Sequence, residues 1–275
     1  MSERGDGRMP FLEHLRELRT RLVRSVIAVA VCFVVGWVFR EELLYLIKLP
    51  LLEALAAHPE APQGLLLLKV MEKFFVHLKV ALFGGILLAA PFIIYQIWRF
   101  VDPAFHAQER RLAGPFIIFS SLLFIGGVAF CYFVMLPFAF NFLIEYSIDP
   151  DPGLLLPAFE VSASQDSMLI ALSDHISLTI KLLLGFGFAF QTPLFITLAC
   201  VIGIADYRWF ARKRGIAVVI LGLLSALLTP QDPWSMLLML GPLWFLYEVG
   251  VILGRILGKR KPDPEDDETE AEPAG

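Results

Sequence analysis

The sequence has few charged residues for its length. Asp, Glu, Lys and Arg together make up 18% of the 275 residues, whereas 57% are hydrophobic. A soluble domain has about 25% charged residues and needs them to cover its surface. The deficit therefore excludes an ordinary soluble enzyme and a disordered chain. The mean hydropathy of +0.69 and the long apolar runs predict an integral membrane protein.

The sequence also lacks the motifs of enzymes and of metal or nucleic-acid sites. Its three cysteines lie inside apolar runs without a CxxC spacing, which is typical of buried thiols. No HExxH motif, Gly-x-Ser-Gly nucleophile turn or Walker loop occurs. No basic stripe interleaves with aromatic residues, which argues against a nucleic-acid partner. We expect no catalysis and no cofactor or metal.

Acidic residues are concentrated at the end of the chain. Residues 262–275 contain seven acids and no Lys or Arg, a composition typical of a solvated, disordered segment. We therefore predict three parts. They are an amphipathic N-terminal segment (1–21), a transmembrane domain (22–255) and a disordered acidic tail (256–275).

The apolar runs predict six transmembrane helices and an all-α membrane protein. They cover about residues 22–39, 76–97, 115–140, 176–201, 215–228 and 234–253. The fifth run would be only about 21 Å long as a helix, against a hydrocarbon core of about 30 Å. The sixth is interrupted by Gly241-Pro242 and is also expected to be short.

Lys and Arg predict the orientation. Seventeen of them lie in the two termini and in the loops after the second and fourth helices, whereas four lie in the loop 40–75 and none in the loop 141–174. By the positive-inside rule both termini are cytoplasmic. The long loop 40–75 also contains a helical pattern at 65–78.

Two cytoplasmic segments carry candidate binding residues. The amphipathic segment 9–24 contains Glu17, with Arg21 four residues later, so a local ion pair is the simpler interpretation. Glu109 precedes the third helix, where stabilisation of a helix N-terminus is the simpler interpretation. Together the two carboxylates could bind an arginine-bearing ligand, because the guanidinium fork donates two parallel hydrogen bonds.

Three further polar residues occur near or inside the predicted helices. Gln191 in the fourth helix suits an interhelical hydrogen bond, and Asp232 in the sequence TPQDPW suits a turn. Glu248 in the last helix is a lone carboxylate, which is a functional candidate by default.

Three stretches of the sequence resemble the TatC family, the multispanning receptor of the twin-arginine protein translocase. They are PFLEHLRELRTRL near the N-terminus, PFIIYQIWRFVDPAFHAQERR across the second helix and its following loop, and LLTPQDPW before the last helix. The resemblance covers about residues 10–255. It implies a concave bundle of six helices with short fifth and sixth helices.

The resemblance also implies roles for individual residues. Glu17, Glu109, Arg19 and Phe100 match positions that bind the paired arginines of a signal peptide. Pro50, Gln191 and Asp232 match positions used in transport or in docking partners. Many members of the family have glutamate where this chain has Gln191, so a role that needs a charge is not expected there.

As a member of such a translocase, the chain is expected to act in the bacterial cytoplasmic membrane. Its implied partners are twin-arginine signal peptides of folded proteins, single-span TatA-type or TatB-type subunits, other copies of itself and membrane lipid. Export would use the proton-motive force. The alternatives are a small-solute permease, which would need a polar site at the midplane and for which no internal repeat is visible, and a purely structural scaffold.

Overall fold

The computed structural model describes residues 11–60, 65–66, 69–101, 110–148, 170–228 and 233–258, which are almost entirely helical. The helices are α1 (Phe11–Val38), α2 (Arg40–Ala57), α3 (Glu72–Val101), α4 (Arg110–Phe130), α5 (Leu136–Ile148), α6 (Leu172–Ala189), α7 (Thr192–Ile202), α8 (Tyr207–Arg212), α9 (Arg214–Leu228) and α10 (Pro233–Leu257). A π-helical turn, Cys131–Met135, joins α4 to α5. Strands β1 (Leu65–Leu66) and β2 (Ile170–Ala171) pair in parallel.

Five helical stretches of the described residues are long and apolar enough to cross a membrane. They are Glu13–Val38, Glu72–Phe100, Gly114–Glu145, Leu172–Ile202 and Met239–Leu257, and the apolar helix Arg214–Leu227 is shorter. These positions confirm the six helices expected from the sequence. The interruption expected at Gly241-Pro242 is wrong, because α10 continues through Pro242, although its apolar stretch of 19 residues is the shortest of the five. The fifth is short, as expected, since α9 has 15 residues.

The loop between the first two predicted spans differs from expectation. It contains α2, an 18-residue helix whose first turn carries Glu41 and Glu42, where negative charge favours the helix N-terminus. The helical pattern predicted at 65–78 is wrong for its first part, because Leu65–Leu66 form β1 and the helix starts at Glu72.

Helices α1 and α3 pack closely through glycines. A Cβ atom built on Gly85 would lie 2.8 Å from the backbone N and 2.9 Å from the Cα of Phe33. A Cβ on Gly36 would meet the carbonyl oxygen of Ala81. Small residues let membrane helices approach until their backbones touch, which maximises van der Waals contact where no hydrophobic effect drives association.

The beginnings of α3 and α6 are connected by polar contacts. The buried carboxylate of Glu72 accepts hydrogen bonds from the backbone N–H groups of Lys69 at 3.1 Å and Ser173 at 3.0 Å. Lys79 donates to the hydroxyls of Ser173 and Ser177, at 3.2 Å and 2.7 Å. The paired strands β1 and β2 lie just before these two helices, so backbone and side-chain bonds hold the two segments together.

The described residues divide into two compact units, one up to Gly187 and one from Phe188 onward. In the second unit α7, α9 and α10 surround a buried apolar cluster. Its members are Ala189, Ile196, Cys200, Leu221, Leu243, Tyr247 and Val251. The Ser225 hydroxyl on α9 donates to the Met236 carbonyl of α10 at 2.6 Å.

Candidate functional site

The N-terminal part of α1 carries the acidic residue that the sequence singled out. Because α1 is continuous from Phe11 to Val38, Glu17 and Arg21 lie about one turn apart on one helix face. Arg21 donates from Nε, at 2.9 Å, and from Nη2 to the same carboxylate oxygen, Oε1 of Glu17. The local ion pair is therefore present.

A second helix holds this ion pair in place. Nη1 of Arg21 donates to Oε1 of Gln96 on α3 at 3.4 Å, and Gln96 is only 5% exposed. The side chain of Arg21 is 13% exposed and that of Glu17 is 22% exposed. The Glu17–Arg21 pair is consequently more shielded from water than an ordinary surface ion pair. An exposed ion pair contributes little to stability, because water screens its charges.

The other carboxylate oxygen of Glu17 is uncommitted. Oε2 is buried and has no hydrogen-bond partner among the described residues. A buried acceptor left unpaired costs about 1–3 kcal/mol. A ligand that donates an N–H group to Oε2 would recover that free energy, so the oxygen is suited to bind a cation with several N–H groups.

An open cavity of about 320 Å³ adjoins this carboxylate. The described residues that line it are Glu13, Arg16, Glu17, Thr20, Arg21 and Arg24. They carry two negative and three positive charges, so this lining by itself does not attract a cation. Strong cation binding needs a further carboxylate or the displacement of one of these arginines.

Two other residues expected at the signal-peptide site lie on α1 and α3. The Phe100 ring stacks on the His14 ring, with centroids 4.3 Å apart and planes inclined by 21°. This contact joins the end of α3 to the start of α1, the same two helices that hold Glu17 and Gln96. Arg19 is exposed.

Glu109 and Asp232 lie outside the residues that the structure describes. The predicted convergence of Glu17 and Glu109 therefore stays a prediction, as does the role of Asp232.

Pro50 is buried inside α2 and changes the hydrogen bonding around it. Proline has no N–H, so the carbonyl four residues earlier, that of Leu46, loses its helical donor. The Tyr132 hydroxyl from the π-helical turn donates to this carbonyl at 2.9 Å, and the His175 ring on α6 hydrogen-bonds the backbone of Ile47. Pro50 thus frees one backbone acceptor, the Leu46 carbonyl, which binds α2 to the π-helical turn.

Gln191 lies at the break between α6 and α7. Its side chain is buried. Its backbone carbonyl accepts from the backbone N–H groups of Leu194 and Phe195 at 3.1 Å and 3.0 Å. Pro193 follows in the first turn of α7, where a missing N–H costs little. The side-chain amide of Gln191 is buried and belongs to the second unit. Its role in an interhelical hydrogen bond stays a prediction.

Glu248 is not a lone carboxylate. Arg214, the first residue of α9, donates from Nε to Oε1 and from Nη2 to Oε2 of Glu248, both at 2.8 Å. This bidentate geometry is the one that arginine and carboxylate prefer. Since the pair links the start of α9 to α10, the carboxylate is a structural element.

An arginine pair surrounds Tyr207 at the start of α8. The guanidinium carbons of Arg208 and Arg255 each lie 6.0 Å from the centre of the tyrosine ring. The hydrogen bond from Arg208 and the positive charges of both arginines lower the pKa of Tyr207. Trp209 beside it is exposed. Arginines and amphipathic aromatic residues are typical of the lipid headgroup level of a membrane.

The sequence pointed to Glu17 but missed its contacts with Gln96 and the uncommitted oxygen. Spacing could identify Arg21 as a partner, because residues four apart on a helix are neighbours. Gln96 is 75 residues away, and no local pattern links it to Glu17. Within the described ranges, no group of three or more His, Cys, Asp or Glu residues is placed to hold a metal ion.

Comparisons with protein-family models and with individual known proteins point to the same family. Residues 13–242 match the family model "Sec-independent protein translocase protein (TatC)". The Sec-independent protein translocase protein TatC of Desulforapulum autotrophicum is 34% identical over 267 residues, covering 97% of this chain and 92% of that protein. The protein of the same name from Escherichia coli K12 is 35% identical over 248 residues, covering 90% of this chain and 88% of that protein.

Solved structures agree with these matches. A crystal structure of the twin-arginine translocase receptor TatC superposes with a TM-score of 0.74 and is 32% identical, covering 89% of this chain and 99% of that chain. A second crystal structure of that receptor, in DDM, has a TM-score of 0.73 and the same identity, covering 88% of this chain and 99% of that chain.

Proposed function

The chain belongs to the TatC family of Sec-independent protein translocase proteins, and we propose that it is the signal-peptide receptor of a twin-arginine translocase. In this role it binds the paired arginines in the signal peptides of folded proteins. It has no catalytic step of its own. The binding residues are Glu17 and Glu109, with Arg19 and Phe100 in the same patch.

The observation that carries this proposal is the state of the Glu17 carboxylate. One of its oxygens is buried and uncommitted, and Glu17 is one of the residues that line an open cavity. A guanidinium group that reaches it makes charge-assisted hydrogen bonds, which are about twice as strong as neutral ones. Glu109 supplies the second carboxylate that the positively charged cavity lining requires.

The proposed location is the bacterial cytoplasmic membrane, with both termini on the cytoplasmic side. The excess of Lys and Arg in the termini and in two loops supports this orientation. It places Glu17 at the cytoplasmic surface, where a signal peptide of a folded protein arrives before export.

The proposed partners are single-span TatA-type or TatB-type subunits, further copies of this chain and membrane lipid. Gln191 and Asp232 act in docking or transport, and Gln191 does so as a hydrogen-bonding group without charge. Pro50 acts by binding α2 to its neighbours. Assembly of the partners on a loaded receptor, driven by the proton-motive force, then exports the folded protein.

A small-solute permease is less well supported. It needs a polar site near the midplane of the membrane, and Glu248, one of the few candidates, is already bound in a bidentate pair with Arg214.

The proposal is tested by peptide binding to the purified chain in lipid vesicles. A fluorescent peptide with the sequence of a twin-arginine signal is titrated against the natural protein and against Glu17→Gln and Glu109→Gln. These substitutions keep shape and remove charge. We expect each to weaken binding on the order of tenfold or more, the free energy of one charge-assisted hydrogen bond.

Glu13→Gln is the matched control, since Glu13 lies one turn earlier on α1 and lines the same cavity. It removes the same charge and is expected to weaken binding only about twofold, as an exposed charge does. Equal binding by the natural protein and both test variants would exclude this function and favour a structural scaffold. A folded reporter with an Arg-Arg signal gives the parallel test of export in cells.

A further inference from the structure

We propose that the arginine pair around Tyr207 is a binding site for the headgroup of an anionic phospholipid. Arg208 and Arg255 donate hydrogen bonds to the lipid phosphate, and the acyl chains lie along exposed apolar side chains beside them. The inference goes beyond the proposed function, because it assigns a lipid ligand to residues other than those proposed to bind the signal peptide.

Two cations approach the same aromatic ring. The guanidinium carbons of Arg208 on α8 and of Arg255 in the last turn of α10 each lie 6.0 Å from the centre of the Tyr207 ring. They are therefore no more than twice that distance apart, and both side chains are long enough to close around one headgroup. Because like charges repel, an anion that accepts from both arginines stabilises the arrangement.

Helix α8 is fixed to α10, so the two arginines have a defined relative position. The Tyr247 hydroxyl on α10 donates to the Phe210 carbonyl of α8 at 2.8 Å. Tyr207 and Phe210 also pack against the buried cluster to which α10 contributes. The Asp206 carboxylate caps α8 by accepting from the backbone N–H of Arg208 at 3.1 Å. A headgroup therefore meets a preformed pair of cations, which lowers the entropic cost of binding.

The charge of this region favours an anionic ligand. Residues 206–214 carry four basic side chains against the single acid Asp206. One of the four, Arg214, is already paired with Glu248. Arg255 adds a further cation, and no hydrogen bond or ion pair with the described residues occupies its exposed guanidinium. The planar fork of arginine matches the oxygens of a phosphate group, which makes a phosphate the preferred anion.

The position of these residues in the chain favours a lipid over a soluble anion. Helix α8 connects the apolar stretch Leu172–Ile202 to the apolar helix Arg214–Leu227, and Arg255 lies close to the end of the candidate span Met239–Leu257. Basic residues at the ends of membrane spans are at the depth of lipid headgroups, where they bind anionic lipids.

Exposed apolar side chains adjoin the arginines in the sequence. Ile256 follows Arg255 and is 69% exposed, and Trp209 follows Arg208 and is 55% exposed. Ile204, just before α8, is 75% exposed. Acyl chains can cover these side chains, whereas inorganic phosphate or a soluble nucleotide can use only the arginines. The ligand that fits both features has an anionic headgroup and hydrocarbon chains.

The test measures lipid binding to the full chain purified in dodecyl maltoside. Phosphatidylglycerol and phosphatidylcholine with identical acyl chains are titrated separately, and native mass spectrometry measures the dissociation constant of the first bound lipid. The decisive quantity is the ratio of the phosphatidylcholine constant to the phosphatidylglycerol constant. We expect this ratio to be on the order of tenfold or more, because each arginine near an anionic headgroup contributes on the order of fivefold.

Variants assign the preference to the two arginines. Arg208→Gln and Arg255→Gln should each lower the ratio on the order of fivefold, and the double variant should bring it close to one. Arg255→Lys keeps the charge but loses the fork, so it should lower the ratio by a smaller factor than Arg255→Gln. Because Arg255 is exposed, its substitution leaves the packing of α10 intact.

Arg99→Gln is the matched control. The guanidinium carbon of Arg99 lies 5.9 Å from the centre of the Tyr95 ring near the end of α3, and no second arginine among the described residues lies over that ring. The control removes the same charge from the same type of aromatic contact. It should change the ratio by about twofold or less, as expected for a single exposed charge.

Three results would overturn the inference. One is equal affinity of the full chain for the two lipids, whether the acidic residues 262–275 cover the arginines or nothing does. A second is an unaltered ratio in the Arg208→Gln, Arg255→Gln double variant. The third is displacement of phosphatidylglycerol by inorganic phosphate as effectively as by the lipid itself, which would make the ligand a soluble anion.

Discussion

Pro50 shows how one residue can affect distant parts of the chain. It lies in the middle of a helix, where proline normally costs stability because a backbone hydrogen bond is lost. Here the freed Leu46 carbonyl is bonded by Tyr132, which lies 86 residues further along the chain. The loss within α2 therefore creates a contact between α2 and the π-helical turn.

This contact can be measured with a double-mutant cycle. Tyr132→Phe should lower the free energy of unfolding by about 0.5–1.5 kcal/mol in the natural chain, because the Leu46 carbonyl then has no donor. In a Pro50→Ala background the same change should cost much less, since residue 50 then has an N–H group that can bond Leu46. Thermal unfolding in detergent gives the four values.

The cycle has an outcome that would contradict this role. If Tyr132→Phe costs the same with proline and with alanine at position 50, the two residues are not coupled, and the hydroxyl does not replace the missing helical bond.

At the scale of helices, hydropathy predicted the membrane-spanning helices well, because each of them produces its own apolar run in the sequence. Each predicted membrane span coincides with a helical stretch, and α9 is short as expected. Hydropathy did not reveal α2, because a helix between two spans has no need for a continuous apolar run. An interruption of the last helix was also expected at Gly241-Pro242, whereas α10 is continuous through Pro242.

The close approach of α1 and α3 depends on glycine at two positions, which gives a second prediction. Gly85→Ala should lower the melting temperature of the purified chain, with a cost of about 1–3 kcal/mol, because the added methyl group would overlap the backbone of Phe33. A flexible side chain could move aside, but a helix backbone cannot do so without separating the helices.

Gly126→Ala in α4 is the matched control. Nothing lies within 4 Å of a Cβ atom at that position, and alanine is the better helix former by about 1 kcal/mol. The control should therefore be neutral or slightly stabilising. Equal effects of the two substitutions would show that the α1–α3 contact tolerates wider separation.

For the whole molecule in its membrane, the length of α9 has a physical consequence. Its 15 residues extend about 22 Å, less than the hydrocarbon core of about 30 Å. A span that is too short requires the bilayer to become thinner near it or requires other protein segments to shield it, at a modest free-energy cost per ångström.

Bilayer thickness should therefore affect stability. In vesicles of monounsaturated phosphatidylcholine with acyl chains of 14 to 22 carbons, we expect the melting temperature to be highest in the thinner bilayers. Insertion of four leucines after Leu223 lengthens α9 by about one turn and should move the optimum to longer acyl chains. An optimum at the same chain length in both proteins would mean that α9 does not sense the bilayer.

The amino-acid sequence by itself determined the class of this protein, its membrane spans and its family. Hydropathy, charge bias and short motifs depend only on residues that are close together in the sequence. It also identified Glu17 and the possibility of its ion pair with Arg21. Only the tertiary structure decided that Gln96 holds Arg21, that one Glu17 oxygen stays unpaired, and that Tyr132 bonds the carbonyl freed by Pro50. These contacts join residues far apart in the chain, and whether a polar atom finds a partner depends on how the helices pack, which no local pattern encodes.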